Sequence, residues 1–238
     1  MNRIVSTSLI GTAAVVALVA ASCAPAFADG TSTPAPSTGK TLAAIQARAK
    51  TDTTARISAL NTAIAKVTAA KDISASDRST ILGTLNGDVS GMNTVEAKIA
   101  ADTTAATAAA DFATIFTGYR VFAVAIPQAR LASAADRLTS TTVPKLTDAQ
   151  TKLAAALAGP DKAKSTPALL ADLADMSSQV SAASTALNGV SAKALAVTPA
   201  DYNSNHAVMT PIRTSVETAI TDLKKASADG KTVLAAIK

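Results

Sequence analysis

From Thr41 onward, apolar residues recur at three- and four-residue intervals, the spacing that lays one stripe along the side of an α-helix. Leu42 and Ile45 lead into Ile57, Leu60, Ile64 and Val67, and Lys71-Asp72 closes this first helix. Ser74 or Ser76 can cap the next by accepting a bond from a free backbone N–H. Its stripe is Ile81, Leu85, Val89, Met92, Val95 and Ile99. Thr166 and Pro167 suit the cap and first turn of a later helix. Leu169, Leu173, Met176, Val180, Ala183, Leu187, Val190, Ala194 and Val197 then alternate spacings of four and three, the seam of a coiled coil or helical bundle. The last helix repeats this more loosely through Met209, Ile212, Val216, Ala219, Leu223, Ala226, Val233 and Ile237. Gly159-Pro160 divides this half from the one before it, because glycine can take a left-handed closing conformation and proline cannot continue a helix. The fold class expected is all-α: an elongated antiparallel helical bundle, coiled-coil-like, with a short extended or kinked segment near 118–127.

The N-terminus follows different rules. Arg3 precedes an uncharged apolar run from Ile4 to Ala21, and Ala26-Phe27-Ala28 offers small residues before Asp29. Residues 1–28 therefore read as a secretory signal peptide cleaved after Ala28. Cys23 follows Ala20-Ala21-Ser22, a loose lipobox, so lipidation of Cys23 and anchoring as a lipoprotein is the alternative fate. Cleavage after Ala28 would leave no cysteine, hence no disulfide, thiol nucleophile or thiolate metal site. Residues 29–40, DGTSTPAPSTGK, lack periodicity and read as a disordered Pro/Ser/Thr linker, with threonines that O-linked sugar could modify. A single helical domain is expected over 41–238, in the cell envelope or the extracellular space.

Charge and chemistry narrow the function. The net charge is +5, but lysines and arginines are scattered among aspartates with no run beyond Lys224-Lys225, so no nucleic-acid face is expected. His206 is the only histidine and sits in the polar stretch DYNSNH, where a solvated imidazole is expected. No calcium-loop, HExxH, GxSxG or phosphate-loop pattern occurs. No enzyme, cofactor or metal is expected, and no catalytic residue is assigned.

Gly83, Gly87 and Gly91 repeat every fourth residue, as in a glycine zipper. At ~100° per residue they centre ~140° from the apolar stripe, so an exposed, softened helix face is expected instead.

One stretch differs from the rest. Residues 111–138 read DFATIFTGYRVFAVAIPQARLASAADRL and hold Phe112, Phe116, Tyr119 and Phe122 with Arg120, Arg130 and Arg137. Spacings of four and three place Phe112, Phe116 and Tyr119 on one helical face. Gly118 and Pro127 bracket a β-branched run that could be extended or a helix kinked at proline. Two readings stand: an aromatic knot anchoring an alanine-lined bundle, with arginines paired to Asp111 and Asp136, or a recognition patch, since aromatics and arginine dominate binding hot spots.

The segment YRVFAVAIPQARLASAADRL resembles the YRVY-type, PxxxLxxAADR segment of a group of exported, alanine-rich helical proteins of actinobacteria and related bacteria. The ending DYNSNHAVMTPIRTSVETAITDLKKASAD is similar to that group's ending, with Asp201-Tyr202-Asn203 and Asp222-Leu223-Lys224 in register. The resemblance runs from about Thr41 to Lys238 and implies an exported helical fold without implying an activity. Phe122 replaces the group's usual tyrosine, and Pro211 leaves the start of the final helix open between Ser204 and Thr210. The function expected is a structural or partner-binding module acting through helix–helix contacts, with an unknown protein or envelope component, or a second copy, as partner. The alternative is an apolipoprotein-like protein on lipid. Third is an enzyme built on Asp111 and Asp136 near Tyr119.

Overall fold

The computed structural model describes residues 41–238. The expected signal peptide, its Ala28 cleavage site, Cys23 and the 29–40 linker lie outside the described residues. The fold is all-α: among the described residues there is no strand. The helices are α1 (Leu42–Ala69), α2 (Ala75–Ala101), α3 (Ala105–Thr117), α4 (Ile126–Arg137), α5 (Val143–Ala158), α6 (Pro167–Leu187), α7 (Val190–Ala196), α8 (Pro199–Ser204) and α9 (Thr210–Ile237). The described residues gather into two compact units. The first comprises 41–133 and Ser191–Arg213, the second Ala134–Val190 and Thr214–Lys238.

In the first unit, α1 and α2 form an antiparallel hairpin. Helix α1 ends at Ala69, slightly before the expected Lys71-Asp72, and Ser74 caps α2 by accepting from Asp77 N at 3.1 Å. Ile45, Ala49, Leu60 and Val67 of α1 are buried, as are Ile81, Leu85, Met92 and Ile99 of α2. Each helix also closes the other's C-terminus. Arg78 of α2 donates to Val67 O and Thr68 O at 2.9 and 3.1 Å, and Gln46 of α1 donates to Ile99 O, Ala100 O and Asp102 O at 3.1–3.2 Å. The last carbonyls of a helix lack partners within it, so these side chains fix the register of the hairpin at both ends. Helix α7 is closed in the same way: buried Gln128 donates to Leu195 O at 2.7 Å and Val197 O at 3.2 Å.

The 118–127 segment is not extended. Helix α3 stops at Thr117, Arg120 adopts the left-handed conformation (φ 45°, ψ 41°), and Val121–Ala125 wind as a π-helical turn leading into α4. Pro127 follows, inside the first turn of α4. Proline lacks an N–H and crowds the carbonyl of the preceding turn, and the wider turn relieves both problems. The same arrangement recurs with Leu138–Thr142, a second π turn, followed by Val143-Pro144. The expectation that Phe112, Phe116 and Tyr119 share a helical face fails for Tyr119, because α3 has ended two residues earlier.

In the second unit, α5 packs on α6, and α9 meets both at Gly230. A Cβ there would lie 3.2 Å from Met176 Cε and 3.8 Å from Leu153 Cδ1. Thr166 caps α6 by accepting from Leu169 N at 3.3 Å. All nine expected seam positions from Leu169 to Val197 are buried. The seam is not one helix, however. It breaks after Leu187 at Asn188-Gly189, where Gly189 has φ 67°. Gly159 caps α5 with φ −117°, so the left-handed closure expected there belongs to Gly189 instead. Helix α9 starts at Thr210, placing Pro211 in its first turn.

Candidate functional site

Several aromatic and arginine residues of the first unit form two groups, one around Arg56 and one around Arg120. In one, the Arg56 guanidinium lies 4.5 Å from the Phe116 ring centroid and 5.3 Å from that of Phe122. Phe112 meets Phe116 edge-on, with centroids 5.2 Å apart and planes at 71°. Arg56 donates to Asp52 O at 2.9 Å and pairs with the Asp52 carboxylate at 3.6 Å. Burial lowers the Arg56 pKa, and Asp52 opposes that shift. Beside it, buried Thr53 donates to Glu96 Oε2 at 2.5 Å, tying α1 to α2. A guanidinium keeps its charge when partly desolvated, and its flat faces stack on rings, so this is a built cation–π centre.

The second group joins the chain around Arg120 to α8. Arg120 Nε donates to Asn203 Oδ1 at 2.6 Å, and Asn203 Nδ2 donates to Thr117 O at 2.9 Å. The Arg120 guanidinium sits 5.3 Å from the Tyr202 ring centroid, and Tyr202 meets His206 at 4.9 Å. Helix α8 can present these residues because Thr198 and Asp201 form a reciprocal capping box at its start. Two hydrogen bonds from Thr198 to the Asp201 carboxylate hold its pKa low. His206 is exposed.

Other expected members are placed differently. Tyr119 packs its ring on Gly91 of α2, where an added Cβ would stand 2.2 Å from Cε1. Gly83 and Gly87 meet nothing within 4 Å, so the glycine row is open at two positions and covered at the third. Asp111 pairs with Lys98 at 2.8 Å, not with an arginine. That partner was missed because Lys98 lies on α2, outside the 111–138 segment. Arg130 is exposed. Asp136 and Arg137 fall in the second unit, and Asp111 in the first. Arg56, Thr53 and Glu96 carried no sequence signal beyond type. An arginine at an α1 position on the side of Ala49 and Leu60 was the available clue.

Among the described residues, no group of three His, Cys, Asp or Glu side chains could hold a metal ion. Asp172 and Asp175 raise the Asp229 pKa in the second unit, after burial as the first cause and against a hydrogen bond from Gln179. No protein-family model matches the chain, and no curated protein or solved structure is significantly similar to it.

Proposed function

We propose that the chain is an exported, non-enzymatic helical module of the cell envelope or extracellular space that binds a protein partner through the surface around Phe122 and Arg120. One observation carries this reading: Phe122 is 45% exposed, although its chain is poor in aromatics and its ring already contacts Arg56. An aromatic left half in solvent beside arginines has the make-up of a binding hot spot. The N-terminal pattern and the resemblance to exported helical proteins support export, and the sparse catalytic side chains support a non-enzymatic role.

The test compares wild type with Phe122→Ser in co-sedimentation with isolated bacterial envelope fragments, alongside thermal melting. Loss of sedimentation by a variant that is still folded at the assay temperature supports the proposal. Equal sedimentation of the two proteins removes it.

A lipid-facing reading draws on a different observation. One stretch within Ala105–Ala158 is long and apolar enough to cross a membrane by length and composition. The helical break at Tyr119-Arg120 opposes a continuous span. Flotation of residues 29–238 with anionic and neutral vesicles, with circular dichroism before and after, separates the two readings. Flotation with a gain of helix favours lipid, and retention in the aqueous fraction favours a protein partner.

A further inference from the structure

Asn188 and Gly189 are the central residues of the tight turn between α6 and α7. Asn188 has φ −60° and ψ 118°, and Gly189 has φ 67°, the pattern of a type II turn. Both are exposed, whereas Leu187 and Val190 on either side are buried. The turn therefore projects into water from two anchored ends, and neither central residue belongs to a helix.

We propose that this turn is a site of spontaneous modification, at which Asn188 converts to isoaspartate and aspartate through a cyclic imide. The backbone nitrogen of Gly189, having lost its proton to solvent, attacks Cγ of Asn188. A new C–N bond closes a five-membered ring, the Cγ–Nδ2 bond breaks, and the side-chain nitrogen takes up a proton and leaves as ammonia. Water then adds to one ring carbonyl. Opening at the main-chain carbonyl gives isoaspartate, whose backbone is longer by one methylene, and opening at Cγ gives aspartate. Either product replaces a neutral amide with a carboxylate, and the sequence needs only water.

Two features select this position. The peptide unit between Asn188 and Gly189 must turn over to bring the nitrogen against Cγ, and glycine accepts the backbone on both sides of that flip. Glycine also has no Cβ to hinder the attacking nitrogen. The chain supplies its own control, because the same dipeptide occurs at Asn86-Gly87 inside α2. There the Asn86 amide donates to Leu82 O at 2.8 Å, and the helix must open before the nitrogen can move. Asn205, another exposed asparagine, is followed by His206, and its side-chain oxygen is engaged by Ala207 N at 3.0 Å.

The test incubates the full chain in mildly alkaline buffer and follows the amide-to-acid mass gain by peptide mapping, with isoaspartate measured separately. Conversion at Asn188 is expected about 100-fold faster than at Asn86, the helix needing to open first at the slower site. Asn188→Gln should abolish the fast phase, and in denaturant the two sites should react at similar rates. Equal rates at 86 and 188 in the folded protein, or a fast phase that survives Asn188→Gln, would overturn the assignment. So would a difference between the sites that persists undiminished in denaturant.

Discussion

The ring of Tyr119 lies on the backbone of Gly91, close enough that an added Cβ would fall 2.2 Å from its Cε1 atom. The contact holds the chain just past the end of α3 against the middle of α2. Gly91→Ala should therefore destabilise the protein by about 1–3 kcal/mol, the usual cost of overpacking. Gly83→Ala and Gly87→Ala, which meet nothing, should each stabilise it by about 0.5–1 kcal/mol through helix propensity. Urea unfolding of the three variants reads the contrast, and three shifts of the same sign would contradict it.

Arg120 is the only described non-glycine residue with positive φ. Arg120→Gly and Arg120→Ala both lose the bond to Asn203, but only alanine retains the left-handed penalty. The glycine variant should be more stable than the alanine variant by about 1 kcal/mol. Equal melting temperatures for the two would mean that the left-handed backbone does not persist in solution.

Arg56 is expected to behave as a packed side chain. Arg56→Ala should cost about 2 kcal/mol, from lost stacking on Phe116 and Phe122 and from leaving Asp52 without its buried partner. Arg56→Lys should recover less than half of this, because an ammonium cannot lie flat between rings. Full recovery by lysine would mean that charge alone matters there.

Burial pushes the Asp88 carboxyl up to about 6. The folded state therefore holds a proton that the unfolded chain has released, and stability falls as pH rises from about 4 to 6. Because Asp88 is half-exposed, solvent screening reduces the loss to roughly 1 kcal/mol. Asp88→Asn should flatten this slope and be more stable than wild type at neutral pH. Urea midpoints measured across that pH range decide it, and identical slopes would show that Asp88 is solvated in both states.

Much of the helical framework was legible because its cause is local. Apolar spacing marked Ile45, Leu60 and Val67 of α1 and most of the buried apolar residues of α2, α6 and α9, and Ser74 and Thr166 cap where their side chains could reach a free N–H. Pro211 left two starts for α9, and the helix takes the later one. The break at Asn188-Gly189 was hidden, because burial continues through Val190 and Ala194 as though the helix did. The site was legible in part. Its aromatics stood out against an alanine background, whereas Arg56, Lys98 and Asn203 reach it from other helices, and spacing along one segment carries no trace of such partners.

The paired π turns before Pro127 and Pro144 have a further consequence. Each accommodates about one residue more than an α turn, so it resets the angular phase of every side chain after it by about 100°. Winding the same residues of Val121–Ala125 as a regular α turn would aim α4 about a quarter-turn away, taking Gln128 off the carbonyls of α7. The two turns thus act as indexing steps, each setting which side of the following helix faces its neighbours.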